Sequence, residues 1–207
     1  EGTPDDMMAP MRCIQYSVAS QYGTHVDVPL HFWGDGRDMS KITVKELVYP
    51  LVVVDKSKEC AENAEFTMTV ADLEKWESEN GRIPEGAFVA FRSDWHKKSN
   101  LDNPDESGKP HYPGWSVDAI KWLVEERNIG AIGHEPADTD PSYVTTREDA
   151  YPYPGEQYIL ETDRIQIEVM RNLDQVPAVG AMIVCAFPKL KDGTGFPARC
   201  FAICPED

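Results

Sequence analysis

The hydrophobic positions of this chain fall into short runs that are separated by polar segments. Each run is rich in β-branched or aromatic residues. Runs of this length and composition are typical of buried β-strands. The pattern therefore predicts strands at residues 48–54, 87–91, 131–133, 179–187 and 198–203. The Asp192-Gly193 pair between the last two runs predicts a hairpin turn.

Two other stretches carry apolar residues at helical spacing. The first predicted helix begins after Thr69, an N-cap with Asp72 three positions later, and ends before Gly81. The second begins after Ser116 and stops before Gly130. One face of each helix is apolar, through Leu73 and Trp76 in the first and Ile120, Leu123 and Val124 in the second. Strands and helices are mixed along the chain, which predicts an α/β or α+β domain.

Composition and charge limit the class of protein. The 207 residues are 41% apolar and 10% aromatic, which suits one globular domain over residues 1–207. The apolar runs are strand-sized, so we expect a soluble protein with no membrane contact. A formal net charge of -16 argues against a nucleic-acid partner, because clustered Lys and Arg bind phosphate backbones. Five cysteines without dense spacing favour a reducing compartment, and we expect the cytoplasm.

Candidate chemistry is concentrated in residues 21–32, which read Gln-Tyr-Gly-Thr-His-Val-Asp-Val-Pro-Leu-His-Phe. Side chains alternate between faces in an extended segment, so His25, Asp27 and His31 can point the same way. Neutral imidazole and carboxylate ligands together suit zinc or manganese. A bare His-x-Asp also arises by chance in a half-buried strand. The complete string from residue 21 to residue 32 instead indicates that this segment supplies half of a metal site.

This segment resembles the signature of the cyclase family of metal-dependent hydrolases, which includes bacterial kynurenine formamidase and isatin hydrolase. The family pattern is His-x-Gly-Thr-His-x-Asp-x-Pro-x-His-Phe, and every element matches except the first, where Gln21 stands. Residues 111–128 and 167–174 resemble further parts of the family, and the second stretch places Glu168 where the family has a glutamate near the metal. The resemblance implies a single domain with a swivelling β/β/α architecture around a mixed sheet.

Two positions depart from the family pattern. Gln21 is a poorer ligand than histidine, because an amide oxygen is a weak neutral donor. Glu156, followed by Gln157, stands where the family commonly has another histidine. These departures leave open one metal instead of two, a different metal preference, or a weakened or lost activity. Family members usually begin with an upstream Asp-Leu-Ser-type strand that nothing here matches, so we expect that strand to be missing.

The resemblance assigns metal binding to His25, Asp27, Gln21 and Glu168, and catalytic roles to His31 and Glu168. A divalent metal there would activate water for attack on a carbonyl, and His31 would carry the proton to the leaving nitrogen. The implied reaction is hydrolysis of a small aromatic amide, either an N-formylkynurenine-type formamide, as in tryptophan catabolism, or an isatin-type cyclic amide. The alternatives are a catalytically silent binding protein and a hydrolase of lactones or cyclic imides.

The polar stretch from residue 92 to residue 112 has no hydrophobic period and predicts a long loop, either a binding loop or a solvated insertion. Trp95 and Trp115 could form an aromatic wall for a planar substrate, although at least one is expected to pack in the core. His134, at a predicted strand end, is a further candidate for substrate binding, together with Glu156 and Gln157. The resemblance also implies a homodimer or homotetramer.

Overall fold

A mixed β-sheet of eight strands forms the centre of the computed structural model, which describes residues 12–206. The ten strands within these residues, all but β3 and β5 in that sheet, are β1 (His25–Asp27), β2 (Val48–Asp55), β3 (Thr67–Met68), β4 (Phe88–Arg92), β5 (Gly114–Trp115), β6 (Ala131–His134), β7 (Ile165–Glu168), β8 (Ala181–Ala186), β9 (Gly195–Pro197) and β10 (Arg199–Ile203). The sheet order is β10-β8-β2-β4-β6-β7-β1-β9. Within this sheet the pairs among β2, β4, β6 and β7 are parallel and the remaining pairs are antiparallel, while β3 and β5 form a separate parallel pair.

The eight-stranded sheet is nearly closed. Its two end strands, β9 and β10, are separated along the chain by Ala198 alone, so the ends of the sheet come near each other. Alternate residues of each strand enter different apolar layers, because side chains in a strand alternate between faces. In β2, Leu51 and Val53 belong to one layer, whereas Val52 and Val54 belong to the other.

Helices cover one face of the sheet. Those of the described residues are α1 (Ser57–Glu62), α2 (Val70–Asn80), α3 (Val117–Arg127), α4 (Ser142–Thr145) and α5 (Pro154–Glu161). Leu73 of α2, Leu123 of α3 and Ile159 of α5 pack in the same cluster as Val89 and Ile132 of the sheet. Because both faces of the central strands are covered, these strands read as continuous apolar runs in the sequence. The prediction of an α/β fold with a mixed sheet is confirmed.

The predicted elements are present, with strand bounds that differ by one or two residues. The Thr69 hydroxyl accepts a hydrogen bond from the backbone N–H of Asp72 and so caps α2, and Ser116 caps α3. Helix α3 ends at Arg127, in agreement with the predicted stop before Gly130, because Asn128 turns into the left-handed region with φ of 46°.

The segment between β8 and β10 differs from a simple hairpin. These strands do pair antiparallel, with Cys185 opposite Cys200. Between them, however, β9 leaves this pair and binds β1. Gly195 permits the close approach, since a Cβ there would lie 2.4 Å from the Val26 carbonyl oxygen and 3.0 Å from Asp27 Oδ1.

Three expectations about the whole chain have different outcomes. Within residues 12–206, no helix combines the length and apolar character that a membrane crossing requires. The boundaries of one domain over residues 1–207 stay a prediction. The expected absence of the family's first strand concerns the start of the chain, where residues 1–11 lie outside the described part.

Candidate metal centre

The antiparallel pairing of β1 with β7 brings His25 opposite Glu168. His25 Nε2 lies 3.4 Å from Glu168 Oε2 and 3.4 Å from Asp27 Oδ2. The other ring nitrogen, Nδ1, is 2.9 Å from the Gly23 carbonyl oxygen. When Nδ1–H donates a hydrogen bond to that oxygen, the neutral imidazole carries its free lone pair on Nε2, on the side of the two carboxylates. His25, Asp27 and Glu168 therefore form a buried group with metal-ligand chemistry.

A second group of similar chemistry shares Asp27 with the first. A short 3₁₀ turn, Pro29–His31, follows β1 and returns His31 to the site. His31 Nε2 lies 3.8 Å from Asp27 Oδ1 and 3.9 Å from Glu156 Oε1, which comes from the first turn of α5. In each group, one ligand atom per residue lies within 4.8 Å of the others. Asp27 thus presents one oxygen to each group.

Gln166, which was not among the predicted site residues, connects the three carboxylates. Its Nε2 lies 3.2 Å from Asp27 Oδ2, 3.0 Å from Glu156 Oε1 and 3.1 Å from Glu168 Oε1. The Thr139 hydroxyl donates to Gln166 Oε1 at 2.7 Å, which fixes the amide with its NH₂ toward the carboxylates. The strand period was the available signal, because Gln166 and Glu168 are two residues apart and share a face.

Glu156 and Glu168 are hard to ionise together. Burial raises the pKa of Glu156 and of Glu168, and the nearby negative charges, including Asp27, raise both further. Burial alone lowers the pKa of His25, but the hydrogen bond and the charge of Asp27 outweigh it, so the pKa is raised. Burial lowers the pKa of His31, and His25 adds to this, whereas Asp27 opposes it. His31 is therefore the more easily deprotonated imidazole of the two.

The donor set fits a divalent cation. Asp27, Glu156 and Glu168 are all buried, and within residues 12–206 their ion-pair partners are histidines rather than Lys or Arg. Buried like charges are costly unless a positive charge compensates them. Imidazole nitrogen and carboxylate oxygen in one group are the ligands that zinc and manganese take. The expected metal-binding chemistry is thus assembled, while the identity of the metal stays a prediction.

The remaining predicted residues lie around this cluster in different ways. Gln21 is half-buried, and its Nε2 lies 3.2 Å from Asp27 Oδ1, so in this arrangement its amide nitrogen faces the carboxylate. His134 is fully buried with Nε2 3.2 Å from Glu168 Oε1, and burial lowers its pKa to about 3. Gln157 points elsewhere and donates to Glu161 at 2.6 Å. Of the two neighbours in α5, Glu156 is the one that joins the cluster.

The two tryptophans considered for an aromatic wall are both buried. Trp95 is 1% exposed, and its indole N–H donates to the Leu101 carbonyl at 2.7 Å. Glu135 holds this loop inward by accepting the backbone N–H of Trp95 at 3.0 Å. Trp115 is fully buried with its ring edge on Phe91. A role for Trp95 in substrate binding stays a prediction.

Other aromatic rings lie beside His31. Phe32 contacts His31 edge to face, with ring centroids 4.7 Å apart, and Tyr153 at 5.8 Å. Tyr153 precedes α5 and is half-buried. Burial raises the pKa of Tyr153, and the charges of Asp138 and Glu156 raise it further, which agrees with a hydroxyl facing the acidic cluster. Neither ring was predicted as a site residue: Phe32 closes the family signature at residues 21–32, whereas no local pattern marks Tyr153.

The fold and this cluster define a class: an α/β protein with a nearly closed mixed sheet and a buried set of imidazole and carboxylate groups beside β1. The family model named Cyclase matches residues 3–141. The chain belongs to the cyclase family. Isatin hydrolase from Roseibium aggregatum is 35% identical over 193 residues, which cover 89% of this chain and 72% of the relative.

Solved structures show the same likeness. Isatin hydrolase A from Labrenzia aggregata, bound to benzyl benzoate, superimposes with a TM-score of 0.85 at 38% identity and covers 92% of this chain and 75% of its own. An isatin hydrolase bound to the product analogue thioisatinate gives a TM-score of 0.84 at 32% identity, with 92% and 74% coverage. The chain is thus an isatin hydrolase-like member of its family and spans about three quarters of these relatives.

Proposed function

We propose that this protein is a metal-dependent hydrolase that cleaves the C–N bond of a small aromatic amide with water. The observation that carries the proposal is the shared position of Asp27, which presents one oxygen to His25 and the other to His31. A group for holding a cation and a group for moving a proton are thereby neighbours. The likeness to isatin hydrolases supports an isatin-type cyclic amide as the first substrate to test.

The proposed cation ligands are His25 Nε2, Asp27 and Glu168, and the proposed metal is zinc or manganese. When bound, a divalent cation supplies a Lewis acid that polarises a carbonyl oxygen and makes water a better nucleophile. Gln166 and Gln21 orient the carboxylates through their amide groups. Gln21 as a direct ligand is the second arrangement, and it requires rotation of its amide.

His31 is proposed to move the proton. Its lowered pKa keeps the imidazole neutral near pH 7, so Nε2 can accept a proton from water as the oxygen attacks the carbonyl carbon. The same nitrogen then donates that proton to the amide nitrogen as the C–N bond breaks. The side chain of His31 is 29% exposed, so it has access to a substrate arriving from solvent. Phe32 and Tyr153 are proposed to contact the aromatic part of that substrate.

The substrate class is tested directly with protein reconstituted with Mn²⁺ or Zn²⁺. We expect turnover of isatin, with ring opening followed by absorbance, and loss of about a hundredfold or more in His31→Ala protein. Asp149→Asn is the matched surface control, because Asp149 is exposed and pairs with Arg147. Unchanged turnover in His31→Ala protein would contradict the assigned role. The same assay with N-formylkynurenine tests for the formamidase of tryptophan catabolism. A lactone and a cyclic imide in that assay test for the other acyl hydrolases, so the three substrates separate these activities from an isatin-type enzyme.

A second candidate function is a catalytically silent binding protein. Gln21 and Glu156, which stand where the family pattern has histidines, are the observation that favours it. Metal content per chain, measured beside a His25→Ala, Asp27→Ala double variant, tests both candidates. Metal that disappears in the double variant supports the site itself, which a silent protein could also keep. Turnover of isatin by the metal-loaded protein then supports the hydrolase, whereas tight binding of isatin without product, even with added cation, supports the silent protein.

The proposed partners follow from the same reasoning. The protein takes a small-molecule substrate, as relatives in solved structures hold small molecules. A homodimer or homotetramer in the cytoplasm remains our expectation. Size-exclusion chromatography with light scattering measures the assembly, and a monomer at micromolar concentration would contradict it.

A further inference from the structure

Val169 has an unusual backbone conformation immediately after the candidate ligand Glu168. Its φ is 54°, in the left-handed region. This region is costly for a β-branched side chain, whose Cβ substituents crowd the backbone, and it is adopted freely only by glycine. A strained residue persists where its surroundings hold it, and such residues concentrate at functional sites. The contacts that hold Val169 in this conformation therefore indicate which part of the candidate centre depends on it.

Three hydrogen bonds fix this turn, two from backbone N–H groups and one from a side chain. The Val169 N–H donates to the Pro136 carbonyl at 3.2 Å, and the next N–H, of Met170, donates to the His134 carbonyl at 2.8 Å. On the other side, the Thr24 hydroxyl donates to the Val169 carbonyl at 2.6 Å. This last bond is the one that a side chain supplies, so it is the one that a substitution can remove.

Thr24 is itself held in place and precedes the other candidate ligand. Its carbonyl accepts the Ala198 N–H at 2.8 Å, from the link between β9 and β10. The bond from Thr24 to Val169 thus joins the residue before His25 to the residue after Glu168. His25 and Glu168 are directly opposite in the sheet, with 3.4 Å between Nε2 and Oε2.

We propose that Thr24 and Val169 form a clamp that positions His25 and Glu168 for a shared cation. The inference rests on the proposed metal site and adds two positioning residues to it. The Thr24 hydroxyl holds the Val169 peptide in its strained orientation. That orientation fixes the position of the Glu168 backbone at the end of β7. Without the hydroxyl, Val169 relaxes toward negative φ and the Glu168 carboxylate turns away from His25.

The test measures the affinity of the purified, metal-free chain for Mn²⁺ and for Zn²⁺ by calorimetry. Thr24→Val keeps the shape and removes the donor, and we expect it to weaken binding by about 10- to 100-fold, as loss of an outer hydrogen bond to a ligand does. Thr24→Ser retains the donor and should bind within a few-fold of the original chain. Thr67→Val is the matched control, because the Thr67 hydroxyl likewise donates to a backbone carbonyl, that of Glu65, outside the cluster.

A second substitution separates positioning from general stability. Glycine adopts φ near 54° without strain, so Val169→Gly should bind the cation nearly as well as the original chain. In a Thr24→Val, Val169→Gly double variant the turn no longer depends on the hydroxyl, and we expect part of the lost affinity to return. Equal affinity in Thr24→Val and the original chain, or no recovery in the double variant, would overturn the clamp.

A crystal structure of metal-free Thr24→Val protein gives a readout that needs no cation. We expect a negative φ at Val169 and a distance between His25 Nε2 and Glu168 Oε2 that exceeds the present 3.4 Å. If the original chain binds neither cation, the proposed function fails, and this structure alone judges the clamp. An unchanged turn would then reject it.

Discussion

Glutamates in two regions of this molecule have opposite electrostatic surroundings. Glu77, on α2, is held by both arms of Arg127 on α3, with Nε at 2.7 Å and Nη2 at 2.9 Å, and this pairing lowers its pKa. Glu156 and Glu168 lie buried beside a third carboxylate, and burial followed by neighbouring charge raises their pKa. The first arrangement pairs an anion with a guanidinium, whereas the second gathers three carboxyl groups that have histidines and one amide as partners, so a bound cation would add the missing positive charge.

The difference shows how each region affects the stability of the folded chain. The pair between α2 and α3 is a half-buried ion pair that ties two helices together. The cluster beside β1 lowers stability in the metal-free chain, because ionised carboxylates in a buried site repel one another. A fold keeps such a costly arrangement where a ligand uses it. Breaking either region should therefore have effects of opposite sign on stability.

The largest effect is expected for Asp27→Asn. The amide keeps the size of the side chain but removes the negative charge of the carboxylate that both groups share. We expect turnover to fall by at least about a thousandfold and the bound metal to be lost, since the cation loses a ligand common to both groups. Steady-state kinetics with elemental analysis measures both. Glu77→Gln protein is the control and should retain activity; metal content unchanged in Asp27→Asn would remove Asp27 from the centre.

Cation binding should raise the stability of the original chain. A ligand that binds only the folded state at about 100 times its Kd stabilises by about 2.7 kcal/mol. For a chain of this size that corresponds to a rise in Tm of roughly 5–10 °C. Thermal unfolding with and without Mn²⁺ or Zn²⁺ measures it. The Asp27→Asn protein should show little of this rise, and an equal rise in both proteins would place the binding elsewhere.

Glu156→Gln should stabilise the metal-free chain at pH 8, by about 1–2 kcal/mol, because it removes the cost of burying the Glu156 carboxyl beside two other carboxyl groups. This expected stabilisation is opposite in sign to the effect of most substitutions at buried positions, which destabilise the fold. The pKa of Glu156 is higher in the folded chain than in the unfolded chain. The original protein therefore has its full stability below the unfolded pKa of this glutamate and loses stability as the pH rises through the folded pKa. The advantage of the glutamine should therefore shrink at pH 4. Chemical denaturation at both pH values, with chelator present, tests this; a destabilised variant at pH 8 contradicts it.

Glu77→Gln should have the smallest effect, a destabilisation of about 0.5–1 kcal/mol at pH 7, since the pair is half-buried at the edge of two helices and solvent screens part of its attraction. The lowered pKa of Glu77 means that its contribution is present above the unfolded pKa and is lost as pH falls through the folded pKa. The two proteins should accordingly become equal in stability at pH values below that folded pKa. The measurement is the same denaturation series, and a difference that persists at low pH would assign the effect to packing.

Much of the fold could be predicted from local patterns. The apolar runs predicted the central strands because those strands are covered on both faces, and Thr69 and Ser116 marked helix starts through their own hydroxyls. Residues 21–32 carried half of the candidate centre, since His25 and Asp27 are two positions apart on one strand. These features depend on residues that are close in the sequence.

The sequence by itself thus determined the strand and helix pattern, the fold class and the histidine and aspartate side of the centre. Only the tertiary structure decided that Gln166 bridges three carboxylates, that Glu156 rather than Gln157 joins them, and that Trp95 is buried. It also decided that β9 crosses to β1 beside Gly195. Each of these depends on contacts between segments far apart in the chain, whose register and burial are set by packing of the whole sheet and not by local periodicity.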